Sequence, residues 1–278
     1  MDREKEEIKF MSYNVWSRED VKVYGRMKVI GGLVQDHSPD VIFFQEITPY
    51  IHSIFESFPW WKDYHCSPVP PEEEKPHFCL MLSRLPLENY ACPNFSKTTT
   101  GKGYLEADIN PEPTATKKPI RIATTQLARP VPPATMHFRE RYAQAEHAVS
   151  ALSGAAANVV FGGDMSWDDD ADLPFPLPAG WFDASASNGR KQDWTYDGFW
   201  NEKAWEFNGY IASAPWMQTR SDRFVCKLRD YTLKSFQLVG AESIGTRYCV
   251  KKHTSYDPGA VDLMPSCHRG LVLTIVPK

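Results

Sequence analysis

The sequence predicts a layered α/β or α+β domain with one chemically active edge. Three observations predict it. Short apolar runs of strand length alternate with stretches of helical period. Several strand-like runs follow one another through turns, as hairpins do. Polar residues suited to chemistry close or open many of these runs.

Taken in order, "IKFMSYN" (8–14) reads as a buried strand, and residues 23–37 carry Met27, Ile30 and Val34 at helical spacing. "PDVIFFQE" (39–46) reads as a strand after a proline turn, and 49–58 as a short helix opening at Pro49. "HFCLMLS" (77–83), "YLEADI" (104–109) and "IRIATTQL" (120–127) read as strands separated by turns. "TMHFRERYAQAEHAVSAL" (135–152) is the clearest amphipathic helix. "NVVFGGD" (158–164), "SDRFVCKLRD" (221–230), "KSFQLVG" (234–240) and "HRGLVLTIV" (268–276) complete the strands. The Pro-rich stretches 67–76 and 110–119 read as surface loops. Nothing marks a domain boundary or a repeat, so residues 1–278 are read as a single domain.

Composition narrows the class. The chain is 42% hydrophobic and 24% charged, the balance of a soluble globular protein. It has no apolar run long enough to span a bilayer, and its charged opening, "MDREKEEIKF", does not read as a signal peptide. The six cysteines form no CxxC pair, which argues for reduced thiols in the cytoplasm or nucleus and against a zinc site. Net charge is −4, so any contact with nucleic acid must be local rather than a broad basic surface.

Asn14, Glu46, Gln126 and Asp164 each close, or nearly close, a strand-like run, while Asp222 and His268 each open one. If the last two strands run antiparallel to the other four, all six side chains meet at one edge. Taken singly, each has a structural explanation: Asp164 as a turn residue after two glycines, Asn14 as a turn former, Glu46 as a helix cap, His268 as an exposed or packed histidine. Asp168, Asp169 and Asp170 read as a solvated face. Only the recurrence of such residues at strand ends points to a site.

These residues carry a resemblance. "SYNVW", "PDVIFFQEIT", "FGGDMSW", "SDRF" and "PSCHRGLVLTI" occur in the order and near the spacing of the endonuclease/exonuclease/phosphatase superfamily. "SYNVWSREDV…R", "WTYDGFWN" and "RSDRFVCKLRDY" are similar to its tyrosyl-DNA phosphodiesterase branch, in the plant-type form, over residues 8–276. The resemblance implies a four-layer α/β/β/α sandwich, two packed mixed sheets flanked by helices. It implies hydrolysis of phosphoesters with Mg²⁺ or Mn²⁺, because a hard cation on oxygen ligands offsets charge building on phosphorus. By that likeness Glu46 is the metal carboxylate with Asn14 beside it, Asp164 orients or deprotonates water, His268 contacts phosphoryl oxygens and Asp222 holds His268.

Three positions depart from the family pattern: Gln126 stands for a histidine, Ser166 for an asparagine and Cys267 for an aspartate. Ser166 keeps a hydroxyl and Gln126 an amide, but Gln126 never carries charge and Cys267 suits a hard cation poorly. The likeness implies cleavage of a 5′-phosphotyrosyl bond at a DNA end, in DNA repair, by a monomer that binds a single strand and no membrane. Trp194, Tyr196, Arg139 and Arg141 are the candidate strand-binding residues; the packing alternative for the aromatics and a salt-bridged helix face for the arginines stay open. Two other functions also stay open: a catalytically degenerate module that binds single strands, and a phosphatase acting on inositol lipids or small phosphoesters.

Overall fold

The structure is a computed structural model that describes residues 7–71, 76–95, 102–111, 118–131, 136–186, 194–197, 218–249 and 260–278. The strands are β1 (Ile8–Asn14), β2 (Val41–Ile47), β3 (His65–Cys66), β4 (Phe78–Ser83), β5 (Glu88–Ala91), β6 (Tyr104–Ile109), β7 (Ile120–Gln126) and β8 (Asn158–Asp164). They continue as β9 (Trp181–Asp183), β10 (Tyr196–Asp197), β11 (Gln218–Thr219), β12 (Asp222–Leu228), β13 (Tyr231–Val239), β14 (Arg247–Cys249), β15 (Ala260–Asp262) and β16 (Gly270–Pro277). The helices are α1 (Val23–His37), α2 (Pro49–Glu56) and α3 (Phe138–Ala155).

Two six-stranded mixed sheets carry the fold, ordered β13-β16-β1-β2-β4-β3 and β5-β6-β7-β8-β12-β9. Each has one parallel pair at its centre, β1 with β2 and β7 with β8. Antiparallel strands flank those pairs: β16 lies against β1 and β12 against β8. The last strands therefore do run against the others, as the edge argument requires.

Both faces of the central strands are buried, which is why they read as unbroken apolar runs. Side-chain alternation sorts each run between two cores. Phe10, Phe43, Ile122, Val160, Phe224 and Leu273 fill the space between the sheets. Met11, Ile42 and Phe44 face the other way, onto Met27, Ile30 and Val34 of α1 and Ile51 and Phe55 of α2. Val159 and Phe161 pack with Ala145, Val149 and Leu152 of α3. The result is helices, sheet, sheet, helix: the four-layer α/β sandwich. Among the described residues no helix is long and apolar enough to cross a membrane. Cys66, Cys79, Cys92, Cys226 and Cys267 are free thiols.

Boundaries shift in three places. The third helix starts at Phe138 rather than 135, because Arg141 N closes its first turn on His137 O, and it runs on to Ala155. The strand expected from 234 begins at Tyr231 and pairs with β16 through a bulge. His268 lies before β16 rather than within it, joined to Tyr196 by an isolated bridge. Within the Pro-rich stretches, 72–75 and 112–117 lie outside the described residues, as do 198–201 of "WTYDGFWN".

Candidate active site

Register brings the polar strand ends together. Gln126 pairs with Asp164 across β7 and β8, and Asp164 pairs with Asp222 across β8 and β12, so three side chains stand abreast in the second sheet. In the first sheet Asn14 pairs with Gln45, next to Glu46. Two glycines allow the close approach in the second sheet. A Cβ on Gly162 would lie 2.4 Å from the Phe224 ring, and one on Gly163 would lie 2.2 Å from Thr125 O.

Glu46 reaches the site through a bulge. Pairing of β2 with β4 breaks between Phe44 and Ile47, and Glu46 has φ 60°, a left-handed value that costs a residue other than glycine on the order of 1–3 kcal/mol. The bulge leaves both Gln45 and Glu46 buried between the sheets. Gln45 hydrogen-bonds Ser12 and Thr124, and the Glu46 carboxylate is gripped from four directions. Its Oε1 accepts from Asn14 Nδ2 (3.2 Å) and Gln126 Nε2 (2.8 Å), and its Oε2 from the Ser17 N–H and hydroxyl (both 3.0 Å).

The same two amides bridge to the second carboxylate. Asp164 Oδ2 accepts from Asn14 Nδ2 (3.0 Å) and Gln126 Nε2 (3.2 Å). Its Oδ1 accepts from Ser166 N (2.8 Å), Ser166 Oγ (3.3 Å) and Ser221 Oγ (2.8 Å). Asp164 therefore holds a turn and also joins the polar cluster: one oxygen binds Ser166, itself at φ 49°, and the other accepts from Asn14 and Gln126.

Electrostatics keep both acids ionised. Burial would raise Glu46, but Arg129, the Ser17 N–H, His268 and His77 outweigh it and bring the carboxyl down to about 2. Burial would also raise Asp164, and His268 with Ser221 holds it below its usual range. His268 Nδ1 lies 2.8 Å from Asp222 Oδ2. Burial pulls that imidazole down, but Asp222 above all, with Asp164 also contributing, holds it well above its ordinary value. The pair therefore shares one proton, carried on the ring, while burial lifts Asp222 itself to about 6. Backbone pins hold both partners: Asp222 N donates to Thr195 Oγ1, and His268 N donates to Ser266 Oγ, which itself donates to Asn14 O.

The residues fit a hard divalent cation. Two buried, ionised carboxylates stand side by side, and among the described residues Asp222 Oδ1 is buried with no hydrogen-bond partner. Ligand atoms of Asp164, Asp222 and His268 lie within 4.8 Å of one another, and of these the two carboxylates are open to a cation while the ring keeps its proton. Asn14 Oδ1 accepts the Trp16 N–H and its Nδ2 donates to both carboxylates, so in this arrangement Asn14 ties the two acids together.

Residues 11–242 match the Endonuclease/Exonuclease/phosphatase family. The chain belongs to that family. No curated protein matches it. Among solved structures it is similar to truncated Caenorhabditis elegans TDP2, at 19% identity over 97% of each chain with a TM-score of 0.74. It is similar to D. rerio TDP2 complexed with single strand DNA product, at 19% identity over 97% of this chain and 98% of that one, TM-score 0.71. The human Nocturnin catalytic domain with bound sulfate matches at 16% identity over 98% and 94%, TM-score 0.67. These likenesses show the family's sandwich fold.

Within this family member the remaining expectations divide. Ser166 touches Asp164. Cys267 is buried with Trp16, Val21 and Leu263, a packing position. Tyr196 stands beside the site, its ring 4.9 Å from that of His268, and Trp194 is exposed. Arg141 is corrected: it is fully buried, its guanidinium bound by Asp172 (2.7 Å) and by the carbonyls of Ala128 and Met136, and it has no face to offer a substrate. Arg139 is exposed on the first turn of α3. The acidic run is not wholly solvated either, since Asp169 accepts from both Arg220 and Arg223.

Ser17, Thr195, Ser221, Ser266 and Arg129 escaped the sequence reading. The signal that was available is adjacency: Ser221 precedes Asp222, Ser266 lies two residues before His268, and Ser17 three after Asn14.

Proposed function

We propose that this chain is a divalent-cation-dependent phosphodiesterase that cleaves 5′-phosphotyrosyl bonds at single-stranded DNA ends, a repair activity that places it in the nucleus or cytoplasm. The observation that carries the reading is the pairing of two ionised carboxylates, Glu46 and Asp164, with a charged donor, the Asp222-held His268, in one buried cluster. The likeness to D. rerio TDP2, crystallised with a single strand DNA product, supports the choice of substrate.

Glu46 and Asp164, with the orphaned Asp222 oxygen nearby, are the groups that would hold Mg²⁺ or Mn²⁺. When bound, the cation neutralises charge on the phosphoryl group. Asp164, with one oxygen fixed by Ser166 and Ser221, presents the other to a water and takes its proton as it attacks. As the water oxygen bonds to phosphorus the bond from phosphorus to the tyrosyl oxygen breaks and tyrosine leaves as its phenolate, while His268, charged, donates through Nε2 to a nonbridging oxygen whose negative charge grows in the transition state. Asp222 fixes the ring's orientation and stabilises that charge. Asn14 and Gln126 keep the two acids from springing apart by mutual repulsion. Tyr196 and Trp194 offer aromatic faces on which unpaired bases stack.

A second reading has its own support. Gln126 carries no charge, and Cys267 is a buried packing residue where the resemblance expects an aspartate, so a module that binds strand ends without turnover is the alternative. A 5′-phosphotyrosyl oligonucleotide with Mg²⁺ or Mn²⁺ separates the two. Turnover abolished by Glu46→Ala supports the enzyme. Tight single-strand binding without turnover supports the module, and phosphate release from inositol lipids alone refutes both.

A further inference from the structure

One cation at the mouth of the site is held in place and left open. The Arg129 side chain is 49% exposed, with Nη1 3.9 Å from Glu46 Oε1. That is the oxygen to which Gln126 donates, and 3.9 Å is too long for a hydrogen bond. Among the described residues the guanidinium makes no hydrogen bond, which leaves its forked donors open beside Glu46.

The backbone leading to it is fixed at every polar atom. Leu127 N donates to Asp164 O (3.0 Å), and Leu127 O accepts from Lys102 Nζ (2.8 Å). Ala128 N donates to Gln144 Oε1 (2.8 Å), and Ala128 O accepts from Arg141 Nη1 (2.8 Å). Pro130 follows and biases Arg129 toward extended backbone. Three buried or half-buried side chains thus brace two residues whose only outward product is one exposed guanidinium beside the carboxylates.

The charge pattern gives that guanidinium a purpose. An anionic phosphoryl group approaching Glu46 and Asp164 meets two negative charges, and the amides of Asn14 and Gln126 are neutral and already bonded to them. His268, bonded through Nδ1 to Asp222, has Nε2 left for one phosphoryl oxygen, and half-buried Lys102 holds its Nζ on Leu127 O, so neither offers a two-pronged donor. Among the described residues Arg129 is the exposed guanidinium beside Glu46 with no hydrogen bond of its own, and its fork matches two oxygens on one phosphorus.

We propose that Arg129 is a further catalytic residue, whose guanidinium takes the nonbridging oxygens of the scissile phosphoryl group and selects substrates that carry charge there. The proposal rests on the phosphoesterase reading above.

The test uses the full chain and two readouts. In Ca²⁺, fluorescence anisotropy compares a single-stranded oligonucleotide bearing a 5′-phosphate with the same strand bearing a 5′-hydroxyl. The wild-type protein prefers the phosphate, and Arg129→Ala removes about 10- to 100-fold of that preference, the scale of a charge-assisted hydrogen bond, while binding the hydroxyl strand unchanged. Arg129→Lys keeps part of it, having the charge without the fork. In turnover with Mg²⁺, kcat/KM of Arg129→Ala falls on the order of 100-fold, divided between KM and kcat.

Wild-type turnover with an Arg129→Ala variant within twofold of it overturns this proposal and leaves the phosphoesterase reading standing. A wild-type protein that neither turns over nor distinguishes the two ends overturns both. A variant whose Mn²⁺ affinity moves while its end preference does not would make Arg129 only a neighbour of Glu46, and also overturns the proposal.

Discussion

Replacing Asp222 by Asn tests the buried charge pair that the site depends on. The substitution keeps the shape and an oxygen for His268 Nδ1 but removes the charge 2.8 Å away. At an effective dielectric near 20, two unit charges at that distance attract by about 6 kcal/mol, and desolvation of both groups offsets a large part. Removing one partner of such a pair typically costs about 3–5 kcal/mol; the retained hydrogen bond puts Asp222→Asn near the lower end. In a chain of this size that is a fall in Tm of roughly 6–10 °C. The sign of the pH dependence follows from the direction of the shift. His268 is raised in the folded protein, so its contribution is full below the unfolded imidazole value of about 6.5 and is lost as pH rises through the folded value. With Asp222 at about 6, the gap between wild type and variant is therefore widest near pH 7, where Asp222 is ionised and His268 still charged, and narrows in alkali. Urea unfolding of the metal-free protein across that range measures the gap, and NMR titration of the His268 ring shows it moving down in the variant. A gap below about 0.5 kcal/mol, or one equal at every pH, would refute the shared-proton pair, because surface-like substitutions give changes of that size.

Other perturbations follow from the same geometry. Asp172→Ala leaves the fully buried Arg141 without its acid and lowers stability by about 3–5 kcal/mol in urea unfolding, whatever happens to activity. Burial would raise Asp183, but Arg223 and Arg220 outweigh it and hold it below its usual range. Its stabilising contribution is present above the unfolded carboxyl value of about 3.9 and is lost as pH falls through the lower folded value, so Asp183→Asn weakens the protein at pH 7 and flattens the acid limb of its stability curve. Gly162→Ala drives a methyl group into the Phe224 ring and costs about 1–3 kcal/mol, read as a lower thermal midpoint.

Much of the frame was legible because both faces of the central strands are buried, so that each strand appears as an apolar run and its polar terminus stands out. Asn14, Gln126, Asp164 and Asp222 were visible for that reason. What periodicity does not carry is which way a side chain turns at the end of a run. Asn14 turns its nitrogen to the two carboxylates while the Trp16 N–H binds its carbonyl, a contact set by a residue at φ 60°. The bulge at Glu46 is equally silent in sequence, since "FFQE" alternates no differently from a regular strand. Arg141 misled because a helix pattern shows which residues are charged, not that a loop acid, Asp172, comes round to bury one of them. Arg129 was missed because nothing at 127–130 is periodic; its position depends on Lys102, Gln144 and Arg141, all distant in sequence or on other elements.

The most direct measurement is anomalous scattering from crystals soaked in Mn²⁺. A peak within ligand distance of the Glu46 and Asp164 carboxylates, lost in Glu46→Gln, is the predicted result. Mn²⁺-dependent hydrolysis by a protein whose only ordered Mn²⁺ lies away from both carboxylates would contradict it.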